Sequence, residues 1–221
     1  MTSQGNLLDL GLREYGEVWA LQRKLVDLRA RKAIPDTLIL VEHPHVFTVG
    51  KAVPGEILTQ IDGIPVLRIE RGGQWTYHGR GQLVGYPILD LNQRQRDIHA
   101  FLRNIEETLI LAISKFGIAS GRGEQTGVWV GNKKIASIGA AIRNWTSFHG
   151  FALNVNTDLN YFYKISPCGF SGSTMTSMKA LLGTEMNFEE VKAEVRTRFE
   201  EVFGLRLTDA KVETLPQTAI I

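Results

Sequence analysis

The stretch RGGQWTYHGRGQLVGYP, residues 71–87, joins a glycine-rich segment to the start of an apolar run. It follows the strand-like PVLRIE, and its five glycines let the backbone approach a ligand closely or adopt positive φ angles. It lacks the G-x-x-x-x-G-K-S/T pattern of a phosphate-binding loop, and a strand-like run follows where a dinucleotide-binding motif would open a helix. We therefore predict a ligand-contacting loop between two strands, the alternative being a surface turn beside a structural histidine, His78.

Helical and strand patterns alternate along the rest of the chain. Residues 14–32, 97–116 and 188–203 have apolar side chains at helical spacing, with Asp97 and Asn187 as N-caps and Gly204 at a stop. Strands are predicted over residues 37–43, 45–50, 65–71 and 148–156, and a hairpin over 126–143 that turns at Gly131 and Asn132. The predicted class is therefore α+β with a mixed sheet.

Length and composition limit the possible functions. The 221 residues show no repeat and no clear linker, so one domain over 1–221 is expected, with a weakly patterned appendage over 208–221. A net charge of +2 does not favour nucleic acid as a partner. No apolar run approaches the roughly 20 residues of a membrane-spanning helix. The absence of an export signal and the single cysteine predict a reducing, cytoplasmic location.

That cysteine, Cys168, lies in KISPCGFSG, residues 164–172. A free cysteine most often fills space in the core, usually within an apolar strand or helix. Here Pro167 and Gly169 flank it, which is typical of a turn. A thiol on a turn is more accessible to a substrate, so chemistry is a serious alternative to packing.

A lysine pair follows the predicted hairpin turn. Strand alternation sends the side chains of Lys133 and Lys134 to opposite faces, so one of them can point into the fold. A lysine near a thiol favours the nucleophilic thiolate. The alternative is a solvated pair beside a turn. His43 and His45 flank Pro44 without a known ligand spacing, so no metal site is predicted.

These segments together resemble the octanoyl-acyl carrier protein:protein N-octanoyltransferases, the lipoate-protein ligase B family. The family pattern R-G-G-x-x-T-x-H-G-x-G-Q matches residues 71–82, and GVWVGNKKIASIGAAIR, HGFALNVNTDL, SPCGF and EHPHVFTVGK are similar to further family segments in the same order. The resemblance covers residues 12–203. One position departs from the family, since Arg80 stands where proline is usual.

The resemblance implies a fold and an activity. The fold is the mixed sheet flanked by helices of the biotin/lipoate ligase catalytic domain. The activity is transfer of an octanoyl group from acyl carrier protein to a lysine on lipoyl domains of 2-oxoacid dehydrogenases or on the glycine-cleavage H protein. It implies no cofactor, because the donor is already a thioester.

The resemblance also assigns roles to residues. Cys168 is the implied nucleophile and Lys134 its activating partner. The residues implied to line the acyl path are Arg71, Gly72, Gly73, Gln74, Trp75, Thr76, Tyr77, His78, Ser137, Ile138, Gly139, Gly150, Phe151 and Ala152. Three alternatives stay open: an ATP-dependent ligase of the same fold, a transferase acting between lipoyl-type proteins, and a non-catalytic acyl-binding protein.

Overall fold

The computed structural model describes residues 2–94, 96–165 and 172–216. Among these, helices and strands are interspersed throughout. The strands are β1 (Ser3–Leu12), β2 (Asp36–Glu42), β3 (Val46–Val49), β4 (Gln60–Ile61), β5 (Ile64–Arg68), β6 (Trp75–His78), β7 (Gln82–Ile88), β8 (Gly121–Arg122), β9 (Gly127–Val130), β10 (Lys133–Arg143), β11 (Thr146–Asn154) and β12 (Leu205–Asp209). The α-helices are α1 (Tyr15–Ala30), α2 (Ile98–Ser114), α3 (Met178–Leu182) and α4 (Phe188–Phe203).

Two sheets form from the described strands. The larger has the order β12-β1-β2-β7-β11-β10-β9-β8 and the smaller β4-β5-β3-β6. In the larger sheet β12, β1 and β2 are parallel and the remaining pairs antiparallel. The predicted mixed sheet flanked by helices is thus confirmed. The predicted strands 37–43 and 45–50 belong to different sheets, a division that strand propensity cannot reveal.

The three predicted helices form close to their predicted bounds, because their ends carry local signals. The Asp97 side chain accepts a hydrogen bond from the Ala100 N–H. The Asn187 side chain accepts from the N–H groups of Glu189 and Glu190, and Gly204 ends α4 in the left-handed conformation. Such caps satisfy backbone groups that a helix end leaves unpaired. The hairpin also turns at Gly131, where φ is +58°.

Alternation along the central strands gives the large sheet two apolar faces. Leu38 and Leu40 of β2 pack with α2 and α4, whereas Ile39 and Val41 pack with α1. Each such side chain, once fully buried, stabilises the fold by about 1.5–3 kcal/mol. The helices therefore lie on both faces of the large sheet, and the middle strands β7, β10 and β11 lie between them. None of the helices in the described ranges is long and apolar enough to cross a membrane.

Two strands at the chain ends are absent from the sequence-based prediction. β1 pairs in parallel with both β2 and β12, and β12 includes Thr208 and Asp209 of the expected appendage. The expectation for 208–221 is therefore wrong for these two residues. It is also wrong for Leu215, which is buried in the apolar cluster that contains α1, whereas residues 217–221 lie outside the described residues. β12 pairs with β1, about 200 positions away, so short-range patterns carry no signal for this pairing.

Arg80 occupies a turn that explains why a proline fits there. The Gln82 N–H donates to the Gly79 carbonyl over 3.2 Å, and Gly81 has φ of +76°. Arg80, with negative φ, therefore sits at the second position of a type II turn, which favours proline. Its side chain is exposed, and its N–H donates to no acceptor among the described residues.

We predict that Arg80→Pro raises the free energy of unfolding by about 0.4–1 kcal/mol, because proline restricts the unfolded chain without straining the turn. Denaturant midpoints measure the effect. Arg80→Ala is the control, since it removes the same side chain and keeps the backbone freedom. A proline variant less stable than the alanine variant would contradict this account of the turn.

Candidate active site

A narrow cavity lies where the glycine-rich segment crosses the large sheet. The Gly72 N–H donates to the Ala140 carbonyl of β10 over 3.1 Å, which fastens this segment to the sheet. The close contact favours glycine on the facing strand, because a Cβ on Gly139 would lie 3.2 Å from the Gly72 oxygen, closer than most such contacts. The centre of a water molecule can occupy about 40 Å³ of the cavity. Its walls are Tyr15, Arg71, Gly72, Gly73, Thr76, His78, Tyr86, Ser137, Ile138, Gly139, His149, Gly150, Phe151 and Ala152.

Most residues of the predicted acyl path line this cavity. They come from three separate segments: the glycine-rich segment, β10 and β11. The strands β10 and β11 are adjacent in the sheet, since Ile138 pairs with Phe151 and Gly139 with Gly150. The predicted residues found on its walls are Arg71, Gly72, Gly73, Thr76, His78, Ser137, Ile138, Gly139, Gly150, Phe151 and Ala152.

Three predicted residues lie elsewhere. Gln74 lines an open groove that adjoins the cavity. Trp75 and Tyr77 alternate with Thr76 and His78 along β6 and face the other way, into the apolar cluster of the small sheet. Tyr77 is fully buried there, and its hydroxyl bonds His45 Nδ1 over 2.7 Å. Strand alternation separates these two rings from the cavity.

Lys134 lies on the wall of the adjoining groove. The groove shares Gly72, Gly73, Ile138 and Gly139 with the cavity, so the two are adjacent. The Lys134 side chain is only 1% exposed, whereas Lys133 is partly exposed and donates to the Ser173 carbonyl. Gly127 makes room for Lys134, since a Cβ there would lie 2.5 Å from the lysine Cε.

The proposed nucleophile, Cys168, lies outside the described residues, which end at Ile165 and resume at Gly172. The resumed chain contacts the lysine strand directly. The Thr176 N–H donates to the Lys134 carbonyl over 2.9 Å, and Met175 forms an isolated parallel β-bridge with Lys134. The described chain that follows Cys168 therefore runs beside Lys134 at Met175 and Thr176.

Sequence reasoning missed three cavity residues: Tyr15, Tyr86 and His149. His149 stands within the quoted HGF segment, so its motif was visible although its role was not. It is buried with φ of +54°, an unusual conformation for a residue other than glycine. Its ring nitrogens lack a hydrogen-bond partner among the described residues, and Nε2 lies 3.6 Å from a Glu70 oxygen. Tyr86 likewise stands within the quoted stretch 71–87, whereas Tyr15 lies outside every quoted motif.

The histidines around the cavity are neutral because they are buried. Burial lowers the pKa of His43 to about 4, and that of His149 to about 4 against the opposing effect of the Glu70 carboxylate. Burial, together with nearby His43, holds the pKa of His78 well below its ordinary 6.5. The cavity is therefore surrounded by uncharged imidazoles at neutral pH.

Hydrogen bonds select one tautomer for two of these rings. The Arg13 carbonyl can only accept, so His43 Nδ1 donates to it over 2.7 Å and His43 Nε2 accepts from the Tyr86 hydroxyl over 2.9 Å. His78 Nδ1 lies 2.8 Å from Gln82 Oε1, an acceptor, and therefore donates to it. The Nε2 atom of His78 is left without a proton.

Comparison with known proteins agrees with this fold and identifies the family. The chain matches the lipoyl protein ligase A/B catalytic domain over residues 14–200. An octanoyltransferase of Syntrophotalea carbinolica is 47% identical over 208 residues, covering 94% of this chain and 98% of the relative. One of Geotalea uraniireducens is 47% identical over 197 residues, covering 88% and 91%.

Solved structures share the fold at low sequence identity. A lipoate-protein ligase A bound with ATP has a TM-score of 0.72 at 17% identity, with 96% of this chain and 90% of that chain covered. A biotin protein ligase from Aquifex aeolicus has a TM-score of 0.53 at 13% identity, with 92% and 69% covered. The fold is therefore that of the lipoate and biotin ligase catalytic domains.

The chain belongs to the lipoyl protein ligase A/B catalytic domain family. Within it, relatives 41–47% identical over most of the chain are named octanoyltransferase. The chain is accordingly an acyltransferase, and the resemblance stated from its motifs is confirmed.

The neutral histidines predict acid instability. In the unfolded chain a histidine binds a proton below about pH 6.5, whereas His43 in the fold stays neutral to about pH 4. The unfolded state then holds more protons, so the free energy of unfolding falls as pH drops from 6.5 towards 4. Each such histidine adds about 1.4 kcal/mol per pH unit to this slope. The slope is measured by urea unfolding at several pH values.

His43→Gln tests the source of the slope. We expect the variant to lose stability at pH 7, because two hydrogen bonds are broken, yet to lose less on acidification. His99→Gln, at an exposed position of α2, is the control and should keep the full slope. An unchanged slope in His43→Gln would show that the acid sensitivity arises elsewhere.

Proposed function

We propose that this chain takes an octanoyl group from octanoyl-acyl carrier protein and passes it to a lysine of lipoyl domains of 2-oxoacid dehydrogenases and of the glycine-cleavage H protein. The acyl group is carried in between as a thioester on Cys168. One observation carries the proposal: the buried Lys134 lines a groove that adjoins the cavity, and Met175, soon after the described chain resumes at Gly172, pairs with Lys134.

Chain length supports the pairing of Cys168 with Lys134. Gly172 lies four positions after Cys168, and four residues span at most about 14 Å. Gly172 in turn lies three positions before Met175, which forms a β-bridge with Lys134. This chain length allows the Cys168 thiol to reach the Lys134 ammonium, which would stabilise the thiolate.

The reaction needs two acyl transfers. The Cys168 thiol gives its proton to Lys134, the thiolate attacks the thioester carbon of the donor, and the carrier sulfur leaves and takes that proton from Lys134. The amine of the acceptor lysine then attacks the enzyme thioester, an amide bond forms, the Cys168 sulfur leaves as a thiolate and Lys134 takes one proton from the amine. In its protonated form Lys134 stabilises the Cys168 thiolate in both steps.

The cavity suits an unbranched acyl chain. It is narrow, and its apolar walls are Ile138, Phe151 and Ala152 with glycine backbone between them. The Lys134 groove adjoins the cavity, so in this proposal the carbonyl end of a bound chain lies on the Lys134 side. Held in this way, donor and nucleophile react as if within one molecule.

The donor separates this proposal from an ATP-dependent ligase. Octanoyl-acyl carrier protein alone should acylate a lipoyl domain, whereas octanoate with ATP should not. Product formation only with octanoate and ATP would instead favour the ligase. An octanoyl-lipoyl domain offered as the sole donor to a second lipoyl domain tests the remaining transferase alternative.

Cys168→Ala should abolish octanoyl transfer to below about one thousandth of the wild-type rate, because no acyl-enzyme can form. Intact mass of the wild-type chain mixed with octanoyl-acyl carrier protein should show one added octanoyl group, and the variant none. The circular dichroism of the variant should match the wild type. Rapid transfer by folded Cys168→Ala would overturn the proposed route.

Lys134→Met should raise the apparent pKa of the Cys168 thiol and slow its alkylation at pH 7, because methionine fills the same space without the charge. The iodoacetamide rate against pH measures this, and the single cysteine makes the signal specific. Lys133→Met is the matched control on the opposite face of β10. A larger effect from Lys133→Met would reverse the assignment.

A further inference from the structure

A chain of buried hydrogen bonds links the cavity wall to the lysine strand. His78 Nδ1 donates to Gln82 Oε1 over 2.8 Å, and Gln82 Nε2 donates to Asn154 Oδ1 over 2.9 Å. Asn154 Nδ2 then donates to the Thr176 carbonyl over 2.9 Å. The Thr176 N–H donates onward to the Lys134 carbonyl over 2.9 Å. The side chains of His78, Gln82 and Asn154 are all buried, so water does not compete for these bonds.

Backbone carbonyls fix the orientation of both amides. The Tyr77 carbonyl lies 3.1 Å from Gln82 Nε2, and carbonyl oxygens only accept. Gln82 must therefore turn its nitrogen away from His78, and Asn154 must turn its nitrogen towards Thr176. Reversal of either amide would place two acceptors against each other, so the side chain of Asn154 is held in one rotation.

Thr176 is consequently held through both of its backbone polar groups. Its N–H is bound to β10 and its C=O to the end of β11 through Asn154. It lies four residues after Gly172, where the described chain resumes past Cys168. The Asn154 contact thus restrains the same residue, Thr176, that bonds the Lys134 carbonyl, whereas the Lys133 side chain holds this segment three residues earlier, at the Ser173 carbonyl.

We propose that Asn154 is a positioning residue for octanoyl transfer, which holds Thr176 so that the segment bearing Cys168 enters the site in register with Lys134. The inference rests on the proposed function of Cys168. Asn154 does not touch the acyl group, and its effect is therefore expected in kcat and not in KM for the donor.

Asn154→Asp gives a test with a pH signature. The carboxylate can still accept from Gln82, but its second oxygen faces the Thr176 carbonyl and repels it. Protonation restores a donor, and burial raises the pKa of such a carboxyl. His78, Tyr15 and His43 are the titratable groups around this end of the hydrogen-bond chain; burial lowers the pKa of His43 to about 4, holds the pKa of His78 well below its ordinary 6.5 and raises the pKa of Tyr15. None of them changes charge between pH 6 and pH 8.5.

We expect kcat of Asn154→Asp to be about tenfold below wild type at pH 8. The ratio of variant to wild-type kcat should rise as pH falls to 6, and KM for octanoyl-acyl carrier protein should stay within about twofold. A ratio that is flat with pH, or a deficit confined to KM, would overturn the proposal.

Asn156→Asp is the matched control. Asn156 follows Asn154 by two residues, and its amide donates to the Met186 carbonyl and accepts from the Met186 N–H, both over 2.9 Å. The same change there should lower stability with kcat within about twofold of wild type. Equal kcat losses in the two variants would mean that Asn154 contributes only to folding.

Two further variants make every outcome decisive. Should Asn154→Asp fail to fold at pH 8, Asn154→Ser replaces it. The serine hydroxyl is too short to bridge Gln82 and Thr176, so we expect a loss of kcat that does not recover at lower pH. A kcat of Asn154→Ser within twofold of wild type would overturn the inference. Cys168→Ala is assayed in parallel. Transfer by Cys168→Ala refutes the proposed function, whereas its inactivity with equal Asn154→Asp and Asn156→Asp kcat refutes only the role of Asn154.

Discussion

The contact between the glycine-rich segment and β10 is the constraint on which the site depends. The Gly72 N–H bonds the Ala140 carbonyl, and the absence of a side chain on Gly139 lets the two backbones meet. The Arg71 side chain crosses the same junction, with Nη2 donating to the Thr48 carbonyl and hydroxyl of the small sheet. Because this junction joins the two sheets, a larger residue at position 139 would disturb both the cavity and the Lys134 groove.

A second constraint is the burial of polar groups around an apolar cavity. Uncompensated polar groups in such a place cost about 1–3 kcal/mol each, and most of them here are paired. His43, Tyr86 and His78 have fixed partners, whereas His149 has none within hydrogen-bond distance among the described residues. The protein thus maintains neutral imidazoles beside the cavity at the expense of stability in acid.

The arrangement of the catalytic elements follows from the order of strands in the large sheet. β7, β11 and β10 are adjacent, so Phe151 pairs with Gly85 of β7, and Gly150 pairs with Gly139 of β10. A Cβ on Gly85 would lie 2.1 Å from Phe151 Cζ, which shows how closely the ring covers that strand. The same adjacency places Gln82 and Asn154 side by side, and through them connects the cavity to the chain that returns from Cys168.

The sequence by itself determined the helices with local caps, the hairpin at Gly131, the mixed class of sheet and the family, because these depend on neighbouring residues or on ordered motifs. It also indicated that only one of Lys133 and Lys134 points inward, since alternation is a property of any strand. Only the tertiary structure decided that Trp75 and Tyr77 leave the cavity, that Tyr15, Tyr86 and His149 join it, and that β1 and β12 pair. Each of these depends on contacts between residues far apart in the chain, and such contacts are fixed by the packing of sheets and helices and not by local pattern.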